Sequence, residues 1–156
     1  GRAGMKIKIA AKVDKVDADY FKECIEPLLS QPHVEFIGEI AEHEKAAFLG
    51  AAAGLLFSIA WREPFGLAMI EAMACGTPVI AMNCGSVPEI VDEGITGYIV
   101  ENEDEAVAAC GALAKLDRAR IRQRFEERFT ARRMAKDYLG LYSELIASDR
   151  LQLEAV

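Results

Sequence analysis

The sequence predicts a doubly wound α/β domain, Rossmann-like, built on a parallel sheet. Short apolar runs alternate with segments of helical periodicity from Met5 to Val100. Most of these runs carry few polar residues, as strands covered on both faces do. Glycine and proline punctuate the junctions, among them Pro32, Gly38, Gly54, Pro64, Gly66 and Pro78.

The elements follow in order. Met5–Ala10 alternates apolar and basic residues and then turns apolar, which suits a strand. Asp17–Leu29 is expected to be a helix, stopped by Ser30-Gln31-Pro32. Val34–Ile37 is a short apolar strand before Gly38, and Ala41–Ala53 a helix with Phe48 and Leu49 facing inward. Gly54–Ile59 is a fully apolar strand, Gly66–Cys75 a helix, and Pro78–Met82 a strand. Val87–Val91 is a short helix and Gly97–Val100 the last strand. Three helices end the chain, near Glu103–Leu116, Asp117–Glu127 and Thr130–Ala147. The last carries Met134, Tyr138, Leu141 and Leu145 on one stripe and is expected to pack on something. Strand–helix–strand connections of this kind are right-handed, and ligands bind beyond the carboxyl ends of the strands.

Composition narrows the function. The 156 residues suffice for one domain with one core, and 52% apolar with 28% charged residues is globular composition. A net charge of −7 argues against a nucleic-acid partner. The one basic cluster, Arg118 to Arg133, is interleaved with Glu126 and Glu127 and is expected to be a solvated helix face. Cys24, Cys75, Cys84 and Cys110 form no zinc spacing and fit small buried thiols in a reducing compartment. No run is apolar enough to span a bilayer, so a cytoplasmic protein is expected. Gly1-Arg2-Ala3-Gly4 leads almost at once into a strand, which suggests a fragment.

The chemistry concentrates in Trp61-Arg-Glu-Pro-Phe-Gly-Leu-Ala-Met-Ile-Glu71. The first amides of the helix here, near Gly66, Leu67 and Ala68, lack intrahelical acceptors and can face a phosphate. Glu71 shares a stripe with Leu67, Ile70 and Ala74 on an otherwise apolar helix, so a buried carboxylate is expected. Such a group needs donors, and the vicinal hydroxyls of a sugar are suitable ones. An ordinary ion pair or an amide cap is the alternative. Glu63 by itself could equally be a solvated loop acid. Trp61-Arg62 before Glu63 could tune the sugar pocket, but packing is the safer reading of the tryptophan.

Glu63 and Glu71 are separated by seven residues, the E-x7-E spacing, inside Glu63-Pro-Phe-Gly-Leu…Glu71-Ala-Met-Ala-Cys-Gly-Thr-Pro-Val-Ile80. This resembles the C-terminal domain of group 1 (family 4) retaining glycosyltransferases, one half of the two-domain GT-B architecture. Asn83-Cys-Gly-Ser-Val-Pro-Glu-Ile-Val91, Asp92-Glu-Gly-Ile-Thr-Gly-Tyr98 and Val34-Glu-Phe-Ile-Gly-Glu-Ile40 extend the resemblance. It implies a nucleotide-sugar-binding domain over 1–156, truncated at its N-terminus and lacking its first strand.

By this resemblance Glu63 is the catalytic-side residue that approaches the donor hexose, and Glu71 holds the ribose hydroxyls. The amides of Phe65, Gly66 and Leu67 face sugar and diphosphate. The backbone around Gly38 and Ile40 cradles the base, with UDP favoured, and Gly85 shapes the adjoining loop. The family's Gly-Arg…Lys-Gly diphosphate segment is missing, so Lys12 is the nearest substitute. No metal-binding DxD-type motif occurs and no cofactor is expected beyond the donor. The implied partners are a nucleotide sugar and an absent acceptor domain, with self-association through exposed apolar surface. A non-catalytic binding or assembly module and a sugar-nucleotide epimerase of the same architecture remain as alternatives. A dinucleotide-binding domain is disfavoured, because no G-x-G-x-x-G joins strand to helix.

Overall fold

The computed structural model describes residues 1–59 and 61–153, with side chains up to 148. Among the described residues, five parallel strands form two hydrogen-bonded sheets. β1 (Ile7–Ala10) pairs with β2 (Val34–Gly38), Ile7 opposite Val34 and Ile9 opposite Phe36. β3 (Leu55–Phe57), β4 (Val79–Met82) and β5 (Gly97–Val100) form the second sheet in that order. One parallel sheet was expected. It is divided because β1 pairs only with β2, and β3 only with β4, so no strand joins β1 to β3 among the described residues.

The three-stranded sheet is covered on both faces, as its apolar strands require. Side chains alternate along β4. Val79 and Ala81 enter a core with Met69, Ile70, Ala72 and Met73 of α3 (Leu67–Ala74) and Ile121 of α6 (Arg118–Arg128). Leu49 of α2 (Glu42–Ala51) and Val87 and Ile90 of α4 (Val87–Ile90) complete it. Ile80 points to the opposite face, where Val100 and α5 (Glu103–Ala112) cover it through Ala109, with Leu113 just beyond.

Two segments depart from expectation. The helix expected over Asp17–Leu29 is broken into one α turn, α1 (Ala18–Tyr20), a wide turn over Phe21–Ile25 and a tight one over Glu26–Ser30. Pro27 has no N–H to continue an α-helical ladder. Phe21 still packs on Phe36 of β2, ring centroids 5.3 Å apart. The last helix, α7 (Ala131–Leu153), leaves its stripe uncovered: Met134, Tyr138, Leu141 and Leu145 are all exposed.

The basic cluster is not simply a solvated face, because its arginines hold α6 against the domain. Arg118 donates to the carbonyls of Gly50 and Ala52, each at 2.8 Å, closing the end of α2. It also donates to Thr77 Oγ1 at 2.8 Å, whose hydroxyl in turn donates to Leu49 O. Arg124 and Arg128 grip Asp92 at 2.7 and 2.9 Å. Charge pattern alone hides this, since the acceptors are distant backbone carbonyls and an aspartate in a turn. The cysteines are also less buried than expected, with Cys24 exposed and the other three half-buried. No described helix is long and apolar enough to cross a membrane.

Candidate donor site

The site is built at the carboxyl end of β3, where the chain turns into α3. Gly66 caps the helix with φ +77°, a left-handed conformation that side chains resist. A Cβ there would lie 2.3 Å from Met69 Cε and 2.9 Å from Ile90 Cδ1. Gly66 is therefore demanded by conformation and by space. The loop after β4 presses on the same turn. A Cβ on Gly85 would come within 2.4 Å of Glu63 O, and the Ser86 amide donates to that oxygen at 2.9 Å.

Glu63 is drawn into the turn. Its Oε1 accepts from the amides of Gly66 at 3.0 Å and Phe65 at 3.4 Å, and its Oε2 from Trp61 Nε1 at 3.2 Å. These donors favour the ionised form, the Gly66 amide most, and hold the carboxyl below the usual range. Glu63 is thus more than a solvated loop acid. The amides of Leu67 and Ala68, next along the helix, find no acceptor among the described residues. Four backbone donors therefore converge on one helix start, two of them already on a carboxylate. The ring of Phe65 and the side chain of Leu67 are exposed beside them.

Glu71 differs from expectation. The buried stripe of α3 is Met69, Ile70, Ala72 and Met73, not Leu67, Ile70, Glu71 and Ala74. The Glu71 side chain is 36% exposed. Lys45 Nζ on α2 lies 3.1 Å from its Oε1 and 2.8 Å from Glu42 Oε2. The ion-pair alternative is therefore the one observed. The reason is the α2–α3 packing, which turns this side of α3 toward a neighbouring helix rather than into the core. Glu71 Oε2 accepts no hydrogen bond from a described residue, so half of the carboxylate is open. Hydrogen bonds to Glu42 and then Glu71 raise the Lys45 pKa above its ordinary value, which keeps it charged. Sequence reasoning missed Lys45, although Glu42 and Lys45 at i and i+3 mark a charged face on α2.

The remaining residues form a second group at the carboxyl ends of β1 and β2. The Ala11 amide donates to Gly38 O at 3.0 Å, and Gly38 has φ +74°. Ile40 is half-buried just beyond. Lys12 is exposed and pairs with Asp14 at 2.8 Å. No hydrogen bond or ion pair joins this group to Glu63 or Glu71 among the described residues. Glu63, Phe65, Gly66, Leu67 and Gly85 are thus brought together, and Glu71 lies one helical turn along.

The family model for glycosyl transferases group 1 matches residues 3–132. N-acetyl-alpha-D-glucosaminyl L-malate synthase of Bacillus anthracis is 30% identical over 135 residues, covering 79% of this chain and 35% of the relative. A probable sucrose-phosphate synthase of Thermosipho melanesiensis is 36% identical over 114 residues, covering 69% and 27%. Among solved structures, HepE of Anabaena in complex with UDP superposes with a TM-score of 0.78 at 22% identity, covering 90% of this chain and 41% of that one. Sucrose-phosphate synthase of Thermosynechococcus elongatus gives 0.73 at 28% identity, covering 92% and 39%. The chain spans about a third of these two curated relatives and about two fifths of these two structures. With most of its length matched by that family model, the chain belongs to the group 1 glycosyl transferases.

Proposed function

We propose that this chain is the donor-binding domain of a retaining glycosyltransferase, which moves a hexose from a nucleoside diphosphate sugar to an acceptor. The observation that carries this reading is the start of α3, where the Leu67 and Ala68 amides have no acceptor among the described residues and the Phe65 and Gly66 amides hold Glu63 beside them. Oriented amides at a helix start stabilise the negative charge of a diphosphate. In the transfer, the bond from sugar carbon to phosphate oxygen breaks, the acceptor hydroxyl oxygen bonds to that carbon, and the hydroxyl proton passes to the departing diphosphate. Charge then develops on the departing diphosphate, where fixed dipoles are most effective.

Within this reading the E-x7-E pair divides the donor. Glu63 accepts from hydroxyls of the hexose. Glu71 offers its open Oε2 to the ribose, while Lys45 holds Oε1. Gly38 and Ile40 lie against the base, Gly85 keeps the loop close to Glu63, and Lys12 leaves Asp14 for a phosphate. UDP is the preferred nucleotide, a preference supported by the UDP bound to the Anabaena structure. The donor is held without a metal. The acceptor belongs to a separate domain of a longer cytoplasmic polypeptide, together with a first strand that fits between β1 and β3. Apart from that polypeptide the exposed stripe of α7 drives self-association, and transfer is absent.

Calorimetric titration with UDP, GDP, ADP and their sugars tests the reading. Weak binding with UDP ahead is expected. No heat from any of them at millimolar ligand would overturn it. In the longer enzyme, Glu71→Ala should lower turnover, and an unchanged rate would favour a non-catalytic module.

A further inference from the structure

Size favours a packing role for Trp61, but the residue is 63% exposed. Its indole N–H and its carbonyl are both engaged at the site. The indole Nε1 donates to Glu63 Oε2 at 3.2 Å. Its carbonyl accepts from the Glu63 amide at 2.9 Å and from Cys84 Sγ at 3.1 Å. The second contact ties the tryptophan to the loop after β4, the loop that carries Gly85 and Ser86. Trp61 is therefore anchored through its backbone and reaches the carboxylate through its side chain.

The division of donors gives this meaning. Two backbone amides hold Glu63 Oε1, and they belong to the turn that leads from β3 into α3. Oε2 has one donor among the described residues, the indole. Without it the carboxylate can pivot about Oε1 while keeping both amide contacts. With it, both oxygens are fixed: the two amides occupy both lone pairs of Oε1, and Oε2 retains one for a ligand hydroxyl. An indole N–H donates and never accepts, so it cannot exchange roles as a water or a hydroxyl can.

We propose that Trp61 is a positioning residue for Glu63, its indole N–H fixing Oε2 so that the carboxylate meets the donor hexose in one orientation. This deepens the donor-site reading and rests on it. The direction of the Glu63 titration agrees, since Trp61 is the second-largest influence holding that carboxyl low. Trp61 acts on the sugar through Glu63 and leaves the nucleotide untouched. Its loss should therefore weaken UDP-glucose while sparing UDP.

The test uses this chain and three variants. Trp61→Phe keeps a ring and removes the donor, Trp61→Ala removes both, and Glu63→Gln removes the charge. Carboxyl 13C NMR follows Glu63 through a pH titration, and calorimetry gives the ratio of UDP-glucose to UDP affinity. In Trp61→Phe the Glu63 midpoint should rise toward the ordinary glutamate range. The affinity ratio should fall about tenfold, equivalent to about 1.4 kcal/mol, with Trp61→Ala matching it. An unchanged midpoint in Trp61→Phe overturns the proposal. So does a moved midpoint with an unchanged ratio, or a Phe variant that behaves as wild type while Ala fails, since the ring would then matter instead. If Glu63→Gln leaves the ratio unchanged, the donor-site role of Glu63 fails first and takes this proposal with it. The NMR midpoint keeps the two failures apart, because it reads the indole contact without any ligand.

Discussion

Replacing Gly66 by alanine tests whether the start of α3 is set by conformation and packing together. The residue sits at φ +77°, where a side chain costs about 1–2 kcal/mol. The new methyl would lie 2.3 Å from Met69 Cε, 2.9 Å from Ile90 Cδ1 and 3.2 Å from Ser86 Oγ. Met69 is flexible but wholly buried, so it has nowhere to swing without disturbing α3. Overpacking of this kind adds about 1–3 kcal/mol. The total is about 2–5 kcal/mol, a large share of a typical stability of about 5–15 kcal/mol. At about 2–4 °C per kcal/mol for this chain length, the melting point should fall by roughly 4–20 °C. Thermal and urea melts followed by circular dichroism read the change. Gly50→Ala and Gly111→Ala serve as controls, since both positions are helical with open space around them. They should gain about 0.5–1 kcal/mol. A Gly66→Ala melt within a degree or two of the parent would refute the geometry derived for this turn, and with it the account of how the amides are aimed.

Other outcomes follow from the same structure. Met73→Ala should cost about 2–5 kcal/mol by urea denaturation, because the side chain is fully buried between β4 and α6. Ser86 Oγ is buried with no hydrogen-bond partner among the described residues, so Ser86→Ala should be neutral or slightly stabilising in the same assay, and a loss above about 1 kcal/mol would contradict that. Thr77→Val removes the hydroxyl that links Leu49 O to Arg118, and should cost about 1–3 kcal/mol as measured by the urea midpoint. Glu63 has a lowered pKa, so its hold on the Phe65 and Gly66 amides is fully present above the ordinary glutamate value. That contribution should fade as pH falls through the lowered folded value, which amide NMR shifts of Phe65 and Gly66 would register.

Much of this protein was legible before any coordinates. Strand and helix positions from Val34 onward were close to those observed, because short apolar strands between amphipathic helices leave few other folds. Gly66 could be placed at a helix start and Glu63 and Glu71 at E-x7-E spacing, since both are local properties of the chain. What tertiary packing decided was the company each residue keeps. Lys45 reaches Glu71 across 26 positions, Arg118 reaches Gly50 across 68, and Arg128 reaches Asp92 across 36. No local pattern encodes those distances. The same holds for Glu71, whose stripe looked buried by helical period, although only the arrangement of α2 against α3 determines which side of α3 meets the core. Trp61 shows the limit most plainly: its size suggested packing, and its position in the loop after β3 left it in solvent with its N–H on Glu63. Periodicity reports which elements form; the choice of partners waits for the chain to fold, because burial and pairing are properties of surfaces brought together from distant sequence.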